Sequence, residues 1–98
     1  MNPKDIAKAV DRRLSLAEDL FDAAAAETRD GDGITRACWS KEDQAVAEIF
    51  AEAARGLDLE VCYDKAGNLY ATLPGRDRSA PAILSGSHFD SVPRGGNF

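Results

Sequence analysis

Long apolar runs are missing from these 98 residues, and none approaches the ~18–20 residues that a bilayer-spanning helix needs. Met1 leads straight into the polar stretch Asn2 to Asp5, so no signal-peptide core is expected. Cysteine is scarce: Cys38 and Cys62 lie far apart with no C-x-x-C spacing, and the expectation is two buried thiols in a reducing cytoplasm. Basic residues are outnumbered, twelve against seventeen acidic ones, and they are scattered along the chain. A net charge of −5 argues against nucleic acid or an anionic membrane surface as partner. Histidine occurs once, as His88, which bounds any metal or acid–base chemistry the chain can supply alone. With 44% hydrophobic residues the composition is that of a folded chain, and the length allows one domain at most.

Asn2-Pro3 reads as an N-cap followed by proline at the first helical position. Ile6, Val10, Leu14, Ala17, Leu20, Phe21 and Ala24 then recur at helical spacing, which predicts one helix over about residues 3–27. Asp30-Gly31-Asp32-Gly33 ends it in a turn. Ser40 opens a second helix, with Asp43 in the capping-box position, Val46, Ile49, Phe50, Ala53 and Leu57 on the buried side, and Gly56 as the stop. The period then falls to two. Leu57, Leu59, Val61 and Tyr63 alternate with polar or small partners, Lys65 to Asn68 makes a turn, and Leu69, Ala71 and Leu73 alternate again, predicting a hairpin. Ala82-Ile83-Leu84 is continuously apolar and is expected to be a strand covered on both faces, as in a parallel sheet between helices. One such strand cannot form that sheet by itself, and the apolar Phe98 after Gly95-Gly96 adds to the expectation of a truncated polypeptide.

Past this strand lies Ser87-His88-Phe89-Asp90-Ser91. In extended chain, residues i and i+2 point to the same side, so His88 and Asp90 should project together. A carboxylate beside an imidazole fixes its tautomer and raises its basicity, which suits a metal ligand. H-x-D alone is weakly specific and also fits an ordinary loop hydrogen bond. Other motifs fail. Gly86-Ser87 lacks the flanking glycines of a nucleophile elbow, Gly31-x-Gly33 lacks a third glycine and a preceding strand, and neither cysteine lies near the histidine that would activate it. Trp39 and Tyr63 read as packing aromatics, and Cys38 and Cys62 as core thiols.

The segment Gly86-Ser87-His88-Phe89-Asp90-Ser91-Val92-Pro93-Arg94-Gly95-Gly96-Asn97-Phe98 closely resembles a signature of the zinc-dependent amidohydrolases in the hydantoinase/carbamoylase branch of the M20 peptidase family. Gly33-Ile34-Thr35-Arg36 with Ser40-Lys41-Glu42-Asp43 resembles that family's turn into its second helix, and Asp64 with Gly67-Asn68-Leu69 its hairpin turn. The resemblance implies an α/β fold, namely the N-terminal part of a three-layer α/β/α di-metal hydrolase domain occupying residues 1–98. It implies two metal ions per full-length subunit, Zn2+ or else Mn2+, Ni2+ or Co2+. His88 resembles the first-metal ligand and Asp90 the carboxylate that orients it, while Arg36 and Asn68 match family positions of structural character. The metal-bridging aspartate would follow Phe98, and the remaining ligands, the catalytic glutamate and the lid/dimerisation domain would lie beyond it. The implied reaction is hydrolysis of a linear amide or ureido C–N bond in a small-molecule substrate by a cytoplasmic homodimer, with the fragment alone inactive. Two alternatives stay open: a non-catalytic α+β module, and an M20 exopeptidase acting on peptide bonds. The loop around Arg36 and the double glycine after Pro93 favour the carbamoylase branch over the second.

Overall fold

A computed structural model describes residues 2–97. Helix α1 (Pro3–Asp11) starts as its sequence predicts, the Asn2 side chain accepting from the Asp5 amide and Pro3 filling a position that needs no donor. The single helix predicted over 3–27 is in fact two. Arg13, at φ −112° and ψ 4°, leaves the helical region, and α2 (Leu14–Thr28) begins after it without a side-chain cap. No glycine, proline or capping residue marks this break, so the sequence carried no signal for it. The apolar stripe at this end of the chain is also not core: Ile6 and Val10 of α1 and Leu14 of α2 are all exposed.

After α2 the chain makes a minimal hairpin, β1 (Arg29–Asp30) with β2 (Gly33–Ile34), paired antiparallel as Arg29↔Ile34 and Asp30↔Gly33. Gly31 supplies the positive φ, +59°, that such a two-residue loop needs at its first position. Helix α3 (Lys41–Gly56) follows its predicted cap, the Asp43 amide donating to Ser40 Oγ. The capping box closes one residue early: the Asp43 carboxylate, shorter than a glutamate, accepts from the Trp39 amide. At the other end the Leu59 amide reaches the Ala54 carbonyl and the Asp58 amide the Arg55 carbonyl, the two bonds of a Schellman ending. The left-handed residue of that motif is Asp58, at φ +59°, and not Gly56, which sits inside the helix. An L-residue there costs roughly 1–2 kcal/mol relative to glycine. Asp58→Gly is therefore expected to stabilise the chain by about 1 kcal/mol, visible as a raised midpoint in thermal or urea denaturation.

The second hairpin forms about the predicted turn, but with shorter strands than the alternating runs suggested: Leu57 and Leu73 fall outside them, and both are exposed, as is Tyr63. Strand β3 (Glu60–Tyr63) pairs antiparallel with β4 (Leu69–Thr72), from Glu60↔Thr72 to Tyr63↔Leu69, and packs on α3. Its loop is organised by Asp64, whose carboxylate accepts from the Ala66 and Asn68 amides, the Asn68 side chain and the Tyr70 hydroxyl. These bonds, led by the one from the Asn68 side chain, hold the Asp64 pKa below the usual carboxylate value. Asn68 thus has the structural part expected of it. Tyr63 caps the outer face, its hydroxyl donating to Glu48, with burial as the main reason its pKa is raised.

The core lies between α2 and α3, and it is thin. Its buried apolar residues are Ala24, Ile34, Val46, Ala47, Ala51 and Ala54, of which only two exceed alanine in size. Small side chains let the two helices approach closely, but each contributes little apolar area. The radius of gyration, 15.4 Å against about 13 Å for a compact domain of this length, reflects that openness.

Three expectations are overturned here. Residues 82–84 form no strand: Ile83 is 100% exposed, because the described residues offer it neither a neighbouring strand nor a covering helix. Cys38 and Cys62 are exposed thiols and not core residues. Trp39 is 80% exposed at φ +60°, its indole N–H tied to the Ala66 carbonyl at the rim of the second hairpin. What the described residues build is a mixed α/β arrangement of three helices and two small antiparallel sheets. Phe98 lies outside them. No helix among them is long and apolar enough to cross a membrane.

Candidate functional site

His88 and Asp90 project together, as their i, i+2 spacing predicts. His88 Nδ1 lies 2.8 Å from Asp90 Oδ1, and 3.1 Å from the Asp90 carbonyl oxygen. The residue between them turns the other way, the Phe89 ring meeting Phe50 of α3 with centroids 4.8 Å apart. One aromatic thus pins the segment to the helix while the polar pair faces solvent, the His88 side chain 77% exposed and that of Asp90 39%. With Nδ1 committed to the carboxylate, Nε2 is the nitrogen left for another partner.

The segment that follows is docked on the first hairpin. The Ile34 amide donates to the Gly95 carbonyl, and the Gly95 amide returns a bond to Ile34. The Arg94 amide donates to Thr35 Oγ1, which itself donates to Asp30 Oδ2. Gly33 makes this approach possible, since a Cβ there would stand 2.6 Å from the Arg94 carbonyl oxygen. The two stretches that resembled one family separately are therefore neighbours in space, residues 33–36 lying against residues 89–97 of the second.

Arg36 joins them. It is only 3% exposed and has no carboxylate bonded to it among the described residues. Nη1 donates to the Phe89 carbonyl at 2.7 Å, and Nη2 to Thr28 Oγ1 at 3.1 Å and Asn97 Oδ1 at 3.0 Å, with a longer bond to the Ala24 carbonyl. Nε has no partner among the described residues. Asn97 completes the tie, its amide donating to the Phe21 carbonyl on α2. Burial lowers the guanidinium pKa and the Asp43 carboxylate opposes this, but arginine stays charged at any relevant pH. The sequence held the residue types of this network but not the network, because Thr28 and Ala24 precede Arg36 by 8 and 12 positions while Phe89 and Asn97 follow it by 53 and 61.

Around His88 the described residues gather no group of three or more His, Cys, Asp or Glu side chains able to hold a metal ion. The open depression beside Gly31, Gly33 and Arg94 includes neither His88 nor Asp90.

Sequence comparison supplies the context. The chain is 41% identical over 69 residues to an N-carbamoyl-L-amino-acid amidohydrolase of Paenarthrobacter aurescens, a match covering 70% of this chain and 17% of that protein. It is 39% identical over 66 residues to the enzyme of the same name from Pseudomonas sp. (strain NS671), and 38% over 65 residues to the allantoate amidohydrolase of Escherichia coli (strain K12), covering 67% and 66% of this chain and 16% of each relative. The chain is homologous to the carbamoylase branch of the amidohydrolases. It spans about one sixth of the length of these carbamoylase relatives. No protein-family model matches it, and no solved structure does.

Proposed function

We propose that the chain is the N-terminal part of the catalytic domain of a metal-dependent amidohydrolase, acting on the linear amide or ureido C–N bond of an N-carbamoyl-amino acid or of allantoate. The observation that carries this reading is the exposed His88 ring held by Asp90 at 2.8 Å, in a chain related to enzymes named for those substrates. The donor set fits one ligand position. His88 would bind through Nε2, and Asp90 would hold the ring in the tautomer that leaves Nε2 unprotonated. One histidine and one carboxylate are too few for a complete centre, which needs three or more protein ligands per ion. A divalent ion, zinc or else manganese, nickel or cobalt, supplies Lewis acidity and a lowered water pKa when bound. The contribution of this chain is narrower: a ligand nitrogen of fixed direction, a carboxylate that accepts from Nδ1, and a backbone hydrogen-bonded behind both. A homodimeric whole protein goes with this reading on family resemblance alone, and cytoplasmic location on the cysteine usage of the sequence.

The test uses the whole protein that carries these residues. Ammonia release from N-carbamoyl-L-amino acids and allantoate is expected, lost on dialysis against a chelator and restored by Zn2+ or Mn2+, with dipeptides as poor substrates. Hydrolysis of dipeptides alone would favour the exopeptidase reading, and no hydrolysis of either class would refute the proposal. The 98-residue chain by itself is expected to turn over none of them.

A further inference from the structure

Asp90 is flanked on both sides by bonds to a single residue. The Phe89 carbonyl, in the peptide that leads into Asp90, accepts from Arg36 Nη1 at 2.7 Å. Ser91, which follows Asp90, accepts at its hydroxyl from the Arg36 amide at 3.0 Å and donates its own amide to the Arg36 carbonyl at 2.8 Å. The side chains of His88 and Asp90 bond only to each other and to the Asp90 main chain among the described residues. Exposed as they are, their direction is set by the backbone beneath them, and that backbone is held by Arg36 and by the packing of Phe89 on Phe50.

We infer that Arg36 is a positioning residue for the His88–Asp90 pair, aiming the ligand nitrogen through Phe89 and Ser91; the inference rests on the metal-ligand reading of His88. Stability alone is a poor reason for this side chain. A buried guanidinium without a bonded carboxylate carries a desolvation cost that an apolar side chain of similar volume avoids. What arginine adds is direction. Its planar fork sends one nitrogen to the Phe89 carbonyl and the other to Thr28 and Asn97, so the site backbone is referred to the end of α2. Lysine, with one ammonium, can reach one of those acceptor sets and not both.

The whole protein is the material for the test, as parent and as Arg36→Met, Arg36→Lys, Asn97→Ala and His88→Ala. Three quantities are read: kcat and KM, zinc affinity by chelator competition, and the thermal midpoint. In folded Arg36→Met, kcat and zinc affinity are each expected to fall about 10–100-fold, the range for residues that orient a ligand from behind. KM should move less than about threefold, since the substitution takes nothing away from the substrate's own surroundings. Arg36→Lys should recover part of the loss, and Asn97→Ala should show a smaller loss in the same direction with less effect on the midpoint. Parental kcat and zinc affinity in both Arg36→Met and Asn97→Ala would overturn the inference, whatever the midpoints do. If Arg36→Met does not fold, Asn97→Ala decides alone. His88→Ala separates the two ideas: if it keeps parental turnover and zinc affinity, the metal-ligand reading fails. In that case the Arg36 inference is judged on the distance from His88 Nδ1 to Asp90 Oδ1 in crystal structures of the variants. If the two atoms stay within hydrogen-bond reach in Arg36→Met, or in Asn97→Ala should that variant be the one that folds, the inference is refuted. If they move apart, it is sustained.

Discussion

If His88 is a metal ligand as proposed, replacing it by alanine in the whole protein is expected to lower kcat/KM by more than about a thousandfold, because the change then removes a ligand outright and not merely its support. Asp90→Ala should cost about 10–100-fold in activity or metal affinity, since the ring keeps its Nε2 but loses the carboxylate 2.8 Å from Nδ1. Asp90→Asn should fall between that variant and the parent, because a carboxamide oxygen can still accept from Nδ1 but carries no charge. The order therefore runs from His88→Ala through Asp90→Ala to Asp90→Asn, and it distinguishes a ligand from its orienting partner. Folding should be nearly unaffected. The His88 side chain is 77% exposed and hydrogen-bonds only to Asp90 among the described residues, and surface substitutions of that kind stay within about 0.5 kcal/mol. Steady-state kinetics beside thermal melts would check both halves. A His88→Ala protein with parental turnover would remove the chemical basis of the proposed function, and one that unfolds would show that the residue belongs to the structure instead.

The parts of the fold that were legible in sequence are those written in adjacent residues. Ser40 and Asp43 mark the start of α3, the two alternating runs about Asp64 to Asn68 give the second hairpin, and the H-x-D spacing puts two side chains on one side of the backbone. Local reading fails where the deciding partner is distant or absent. Ile83 and Leu84 have the composition of a covered strand, yet coverage belongs to other segments, and none among the described residues provides it. The stripe of Ile6, Val10 and Leu14 has the correct period for a buried helix face, yet all three are about half exposed among the described residues. Period reports which residues share a face, never what faces them. Cys38 and Trp39 fall in the tight passage between β2 and α3, where the chain turns through a left-handed residue and aims the indole outward. Asp58 rather than Gly56 takes the left-handed position because helix α3 runs two residues further than its glycine suggests. Within the candidate site, the pair itself was readable and its foundation was not. Arg36 draws its acceptors from α2, the H-x-D segment and Asn97, a convergence from distant parts of the chain that no window of neighbouring residues contains.

That foundation has a second weak point at Gly33. An added Cβ would meet the Arg94 carbonyl oxygen at 2.6 Å and the Gly95 carbonyl oxygen at 2.8 Å, both backbone atoms that move only if the segment after the H-x-D motif lifts off β2. Gly33→Ala is accordingly expected to destabilise this docking by about 2 kcal/mol, the scale of overpacking where two backbones meet closely. By contrast, a Cβ at Gly56 meets nothing within 4 Å and lies in a helix, so Gly56→Ala should stabilise by about 0.5–1 kcal/mol. Amide hydrogen exchange in the whole protein reads the difference locally, at the reciprocal Ile34 and Gly95 amides and at Ser91. A loss of about 2 kcal/mol corresponds to exchange about thirtyfold faster at those three positions, where each 1.4 kcal/mol is a factor of ten. The α3 amides should be unchanged. Because the same docked segment carries Asn97 and follows directly on Asp90, the proposed metal-ligand role of His88 predicts zinc affinity weakening in parallel with the loss of protection. Unaltered exchange at Ile34 and Gly95 in Gly33→Ala would mean that the segment yields at no cost, and that the backbone behind the His88–Asp90 pair is softer than its hydrogen bonds indicate.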